Sequence, residues 1–165
     1  MTNRIRSALL VALVVWAEIA VSQSKRTERH RMHHSQIVFV CEHGAALSVV
    51  SAAYFNKLAR EQHLDLHAIA RGTTPQKDIA VSARAGLKAD EVPSELKRPL
   101  ALSRKDAVHA LRIVVFTPIP AEYSKLAPVE TWGDVPPTGE NYGLARDAIL
   151  KHLRELIRQL KTPKT

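Results

Sequence analysis

Four apolar residues in succession, Ile37-Val38-Phe39-Val40, run into the only cysteine of the chain, Cys41, and then into Glu42-His43-Gly44-Ala45-Ala46-Leu47-Ser48. A β-branched and aromatic run without alternation reads as a strand covered on both faces, the setting of a parallel α/β sheet. A helix follows over residues 48–62, with Val49, Ala52, Ala53 and Phe55 toward the core and Lys57, Arg60 and Glu61 toward water. A strand that ends in a thiol, turns through a Gly/Ala loop and enters a helix is one way to build an oxyanion-binding nucleophile site. The loop N–H groups and the helix N-terminus attract negative charge and lower the pKa of a thiol. Position 47 opposes that reading, because a site for a phosphate-like dianion calls for a cation there and the chain has leucine.

The rest of the chain alternates in the same way. Residues 65–70 read as a second strand, closed by the turn Arg71-Gly72-Thr73-Thr74-Pro75. A short helix is expected over 78–88, Pro93 and Pro99 break the next stretch, and Ser103 starts a helix from Arg104 to His109. Residues 111–117 form the clearest strand of the C-terminal half, with a short fourth strand over 129–132. The closing helix, residues 142–160, carries Ala145, Ile149, Leu153, Leu156, Ile157 and Leu160 as the i, i+3/i+4 stripe of a core-facing helix. Its terminal basic residues suit the helix dipole. The pattern predicts a three-layer α/β sandwich, a central four-stranded parallel sheet with helices on both faces. Ligands bind such sheets at the carboxyl ends of the strands, where Cys41 falls.

Size and charge narrow the function. The 165 residues suffice for one full-sized core plus an extension. The net charge of +8 suggests nucleic acid at first sight, yet residues 1–35 hold six Lys/Arg against two Glu, so half the excess lies outside the domain. With no zinc-finger spacing and no aromatic-rich RNA-binding signature, no nucleic-acid partner is expected. A single cysteine excludes an intramolecular disulfide, a multi-cysteine metal site and any redox cycle needing a second cysteine in the chain. Cys41 is therefore either a buried structural thiol or a lone nucleophile. No cofactor and no metal are expected.

Residues 1–22 read as a signal peptide or N-terminal anchor: Arg4 and Arg6 precede an apolar core at 8–17, and small residues stand at Ala20 and Ser22. The expected location is exported, periplasmic or secreted, with membrane contact only through an uncleaved segment. A start codon placed upstream of a cytosolic domain is the third option. Residues 23–35 form a polar basic linker whose His30, His33 and His34 lack an acidic or cysteine partner nearby. Residues 36–161 make the domain and 162–165 a tail.

Within the loop, Gly44, Ala45 and Ala46 are small enough for close approach of an anion, and Ser48 either caps the helix or hydrogen-bonds a thiolate. Here a resemblance enters. Val38-Phe39-Val40-Cys41 with a loop ending in Ser48 resembles the phosphate loop of the low-molecular-weight protein tyrosine phosphatases and related arsenate reductases, whose motif is Cys, five residues, Arg, Ser. Ala70-Arg71-Gly72-Thr73 with Pro75 resembles the Ser-x-Gly-Thr segment after their second strand. Trp132-Gly133-Asp134-Val135-Pro136 resembles the late loop that carries their Asp-Pro acid.

The resemblance spans residues 36 to about 160. It implies Cys41 as a nucleophile forming phosphocysteine and Asp134 as the acid. It further implies amides of Glu42, His43, Gly44, Ala45, Ala46, Leu47 and Ser48 as the phosphate-binding groups, with Ser48 steadying the thiolate. The implied partner is a phosphorylated protein, a small phosphate ester or another oxyanion. Leu47 stands at the arginine position, Gly44 where many members have Asn, and Val135 separates Asp134 from Pro136. Arg71 is read as a surface residue or a substitute cation. Three functions follow: a phosphate monoester hydrolase weakened by Leu47, an inactive anion- or partner-binding module, or an arsenate reductase served by an external thiol.

Overall fold

The computed structural model describes residues 36–162; the signal or anchor at 1–22, the linker at 23–35 and residues 163–165 of the tail lie outside the described residues. In chain order the elements are β1 (Gln36–Cys41), α1 (Leu47–Glu61), β2 (His67–Gly72), α2 (Val81–Ala89), α3 (Arg104–His109), β3 (Ala110–Val115), α4 (Ala121–Ser124), β4 (Val129–Thr131) and α5 (Tyr142–Lys161). The four strands pair in parallel in the order β2-β1-β3-β4.

The uninterrupted apolar run is explained by the two faces of β1. Ile37 and Phe39 join the larger core with α1, α2 and α5, while Val38 and Val40 join a second core with Ala107 of α3 and residues around α4. All four are fully buried, so none of these four positions on β1 had room for a polar side chain. Because β2 lies on one side of β1 and β3 on the other, the chain reverses its winding at the C-terminal end of β1. That is where crevices open in doubly wound sheets. Cys41 is its last residue.

Several boundaries differ from those read in the sequence. β2 begins at His67 rather than residue 65, and Arg71 and Gly72 belong to the strand, not to a turn. The side-chain amide of buried Asn56 bonds both the N–H (2.7 Å) and the C=O (2.9 Å) of Ala68 and so sets where pairing starts. Pairing then continues to Cys41 opposite Gly72. α1 starts at Leu47, one residue early, and α2 at Val81 instead of residue 78. β3 spans 110–115 rather than 111–117; Phe116 lies beyond it, although its N–H still donates to the carbonyl of Val40 (2.9 Å). The single-turn α4 was not anticipated, since four residues are too short to show periodicity. The expected starts of α3 and α5 are explained by caps: Ser103 and Asp106 form a reciprocal capping box, and Asn141 accepts from the N–H of Leu144.

One carboxylate ties three helices together on the larger face. Asp90, just after α2, accepts hydrogen bonds from Tyr54 of α1 and from Tyr142 and Arg146 of α5. The ring of Tyr142 lies over Gly86, where an added Cβ would sit 2.2 Å from a ring carbon. The Tyr54 bond leads in holding Asp90 below the ordinary carboxylate range. Burial, joined by the bond to Asp90, pushes Tyr142 from its ordinary 10.0 up to about 12. Tyr54→Phe should therefore cost about 2 kcal/mol, the range of a hydrogen bond to a charged group, read as a lower urea midpoint at unchanged slope. The raised Tyr142 contributes fully below its unfolded value and loses that contribution as pH rises through the folded one. Stability should fall between pH 10.0 and about 12, and the fall should be smaller in Tyr142→Phe.

Candidate active site

The loop after β1 is held by its carbonyls. The C=O groups of Cys41, Glu42, His43 and Ala45 accept from the N–H groups of Thr73 (3.1 Å), Thr74 (2.8 Å), Gln76 (3.2 Å) and Ala80 (3.0 Å). The Thr73 hydroxyl adds a bond of 3.3 Å to the Glu42 carbonyl. In a trans peptide the N–H points opposite to the C=O. The N–H groups of residues 42, 43, 44 and 46 therefore face away from the 73–80 segment. Among the described residues, none of the backbone N–H groups from Glu42 to Val49 has an acceptor. The last three of these belong to the first turn of α1, whose N-cap Ala46 offers no side chain. Unpaired amides in a tight loop, continued into a helix N-terminus, are partial positive charges of the kind that attract an oxyanion.

Two glycines make this packing possible. Gly44 has φ +62°, and a Cβ there would lie 2.7 Å from the Gly72 nitrogen; a Cβ on Gly72 would lie 2.7 Å from the Gly44 nitrogen. Backbone meets backbone, so neither neighbour can yield. Gly72→Ala should displace the loop and cost on the order of 1–3 kcal/mol. The amide resonances of residues 42–46 should shift in that variant while those of α5 stay in place. A spectrum unchanged in the loop would refute the contact.

Cys41 is 7% exposed, and its Sγ lies 3.1 Å from the Oγ of fully buried Ser48. Of the two roles open to Ser48 the structure has the thiol contact; it is the second residue of α1 and caps nothing. Gly44 and Ala45 are buried, Ala46 half-buried, and Glu42 and His43 exposed at the rim. The half-buried Leu47 packs against the larger core, so the loop itself supplies no cation. Arg71 does not replace it, nor is it the surface residue of the sequence reading. Its side chain is 15% exposed and makes a bidentate bond to Asp106 (2.9 and 3.0 Å), with a third bond to the Ala70 carbonyl. Those bonds turn it toward α3.

Asp134 follows β4 at the same edge of the sheet, but no hydrogen bond or ion pair joins it to the loop among the described residues. Its carboxylate, 68% exposed, lies 2.8 and 3.0 Å from Nε2 of His152 on α5. That bond leads in lowering its pKa below the ordinary 3.8. The His152 ring stacks on Trp132 at 4.7 Å and 16°. Trp132 is 1% exposed, touches the rings of Phe39 and Phe116, and donates through Nε1 to Glu130 at 2.7 Å. His152 was missed in the sequence because it flanks the apolar stripe of α5 and its partner lies 18 residues upstream. Among the described residues no group of three His, Cys, Asp or Glu side chains is placed to hold a metal ion.

No protein-family model and no curated protein matches the chain. Solved structures do. The low-molecular-weight protein tyrosine phosphatase SP-PTP of Streptococcus pyogenes aligns with a TM-score of 0.64 at 12% identity, over 78% of this chain and 94% of its own. The YwlE arginine phosphatase of Bacillus subtilis, as a Cys-to-Ser mutant with a phosphorylated active-site serine, aligns at 0.66 and 19% identity over 78% and 97%. An arsenate reductase from Archaeoglobus fulgidus aligns at 0.54 and 21% identity over 75% and 97%. The chain thus has the fold of the low-molecular-weight phosphatases and arsenate reductases, as the resemblance in its sequence implied.

Proposed function

We propose that this protein hydrolyses phosphate monoesters through a phosphocysteine, with backbone amides doing the work usually shared with a guanidinium. The observation that carries the reading is the run of unpaired N–H groups from Glu42 to Val49 around a buried thiol. In its thiolate form the Sγ of Cys41 attacks phosphorus, an S–P bond forms, and the P–O bond to the leaving group breaks with its electron pair going to that oxygen. Water then attacks the phosphocysteine while Asp134 accepts its proton; the S–P bond breaks with its electron pair returning to sulfur, releasing phosphate and the thiolate. Ser48 fixes the sulfur, and the amides hold the equatorial oxygens as charge develops. The YwlE mutant, of similar fold and phosphorylated on its active-site serine, supports a covalent intermediate. The substrate class is a phosphorylated protein or a small phosphate ester.

Leu47 sets the rate. A missing charged contact to the transferring group is worth on the order of 3 kcal/mol, about a hundredfold. Leu47→Arg should therefore raise kcat/KM toward p-nitrophenyl phosphate by about that factor, and Cys41→Ser should abolish turnover. Equal slow turnover in wild type and Cys41→Ser would refute the covalent mechanism. Leu47, an uncharged side chain packed against the core, favours a second reading, an oxyanion- or partner-binding module without turnover; wild-type protein that binds phosphate but never hydrolyses an ester would establish it. An arsenate reductase would need an external thiol, since the chain has one cysteine. Arsenate should cause no oxidation of glutathione in the presence of the protein.

A further inference from the structure

We infer that His152 is a positioning residue that locks Asp134 and restricts the site to phosphate compounds whose leaving group departs without a proton: acyl phosphates and aryl phosphates of acidic phenols. The inference rests on the phosphatase reading above and specifies its substrate class. Both oxygens of Asp134 face one nitrogen, Nε2 of His152, at 2.8 and 3.0 Å. With Nε2 carrying its hydrogen, the ring donates toward both oxygens, a proton added to either would meet that N–H, and the pair in this tautomer selects the carboxylate.

The imidazole is itself restrained. One face lies on Trp132, whose indole is pinned by Glu130 and by the rings of Phe39 and Phe116. The helix beneath it is anchored by fully buried Ile149, Leu153 and Leu156. Lys151, also on α5, adds to the positive field at Asp134, after the His152 bond and the backbone. A general acid needs its pKa raised toward the working pH; here it is lowered.

The two chemical steps are affected differently. In the first, the S–P bond forms and the P–O bond breaks, and the oxygen leaves with the electron pair. A carboxylate or an acidic phenolate is stable as that anion, whereas an alkoxide or a simple phenolate needs a proton that Asp134 does not hold at neutral pH. In the second, water must lose a proton, and the ionised Asp134 is the required form. The first step is therefore selective and the second is served by the same lock.

The test compares wild type with His152→Phe, which keeps a ring on Trp132 and removes the N–H, using acetyl, p-nitrophenyl and phenyl phosphate between pH 5 and 8. At pH 7 wild type should turn over acetyl and p-nitrophenyl phosphate far faster than phenyl phosphate. In His152→Phe near pH 5 the phenyl phosphate rate should gain about tenfold relative to p-nitrophenyl phosphate, a part of the roughly 10²–10⁴-fold that general acid catalysis supplies. An unchanged ratio would overturn the inference. The carboxyl ¹³C resonance of Asp134 gives a readout independent of turnover: its titration midpoint should lie below the ordinary carboxylate range and rise in His152→Phe. An unmoved midpoint overturns the lock, whatever the rates. A raised midpoint with no ester hydrolysed overturns the phosphatase reading and the selectivity built on it.

Discussion

The contact between the Gly44 and Gly72 backbones, with the carbonyl bonds that flank it, is the constraint on which the site depends. Four loop carbonyls are absorbed by the chain that follows β2, and peptide geometry then presents the intervening N–H groups to the other side. Side chains contribute little to this. Any Cβ at either glycine would part the loop from β2, and the amides would lose their common direction. Parallel pairing of β1 with β2 supplies the alignment, since Cys41 and Gly72 are register partners at the end of both strands. The sheet thus positions the thiol, the loop and the segment that braces it as one unit.

The charges around that unit are disposed away from it. The half-buried Leu47 packs against the core, and Arg71 is consumed by Asp106, which also caps α3. Asp134 is paired with His152, a bond that lowers its pKa below the ordinary carboxylate value. What remains for an anion is a set of fixed backbone dipoles with a helix N-terminus behind them. Such donors bind and orient without reorganising, but they lack the full charge of a guanidinium. A weak, selective phosphatase and a pure binding module therefore share the same architecture, and the rate alone separates them.

Much of the fold was legible because burial on both sheet faces and the α5 stripe leave direct marks in residue type. The Ile37-Val38-Phe39-Val40 run could only be a covered strand, and Cys41 at its end marked the candidate site. Ser48 was ambiguous, since the same hydroxyl suits a cap or a thiol partner, and the choice depends on where α1 begins by one residue. Arg71 was misplaced because β2 continues its parallel pairing with β1 as far as Gly72, and because its bidentate partner, Asp106, is 35 residues away. His152 was illegible for a similar reason: its role exists only through Trp132 and Asp134, brought to it by tertiary packing. Pairwise contacts between distant polar residues leave no periodic trace in one sequence.

The most direct test of the central claim is titration of ¹⁵N-labelled protein with inorganic phosphate, following the backbone amides. Saturable shifts at residues 42–49, with small effects elsewhere, are the expected result for a loop whose N–H groups form the oxyanion site. The absence of saturable shifts in that loop, or shifts confined to exposed Lys and Arg side chains on other surfaces, would contradict it.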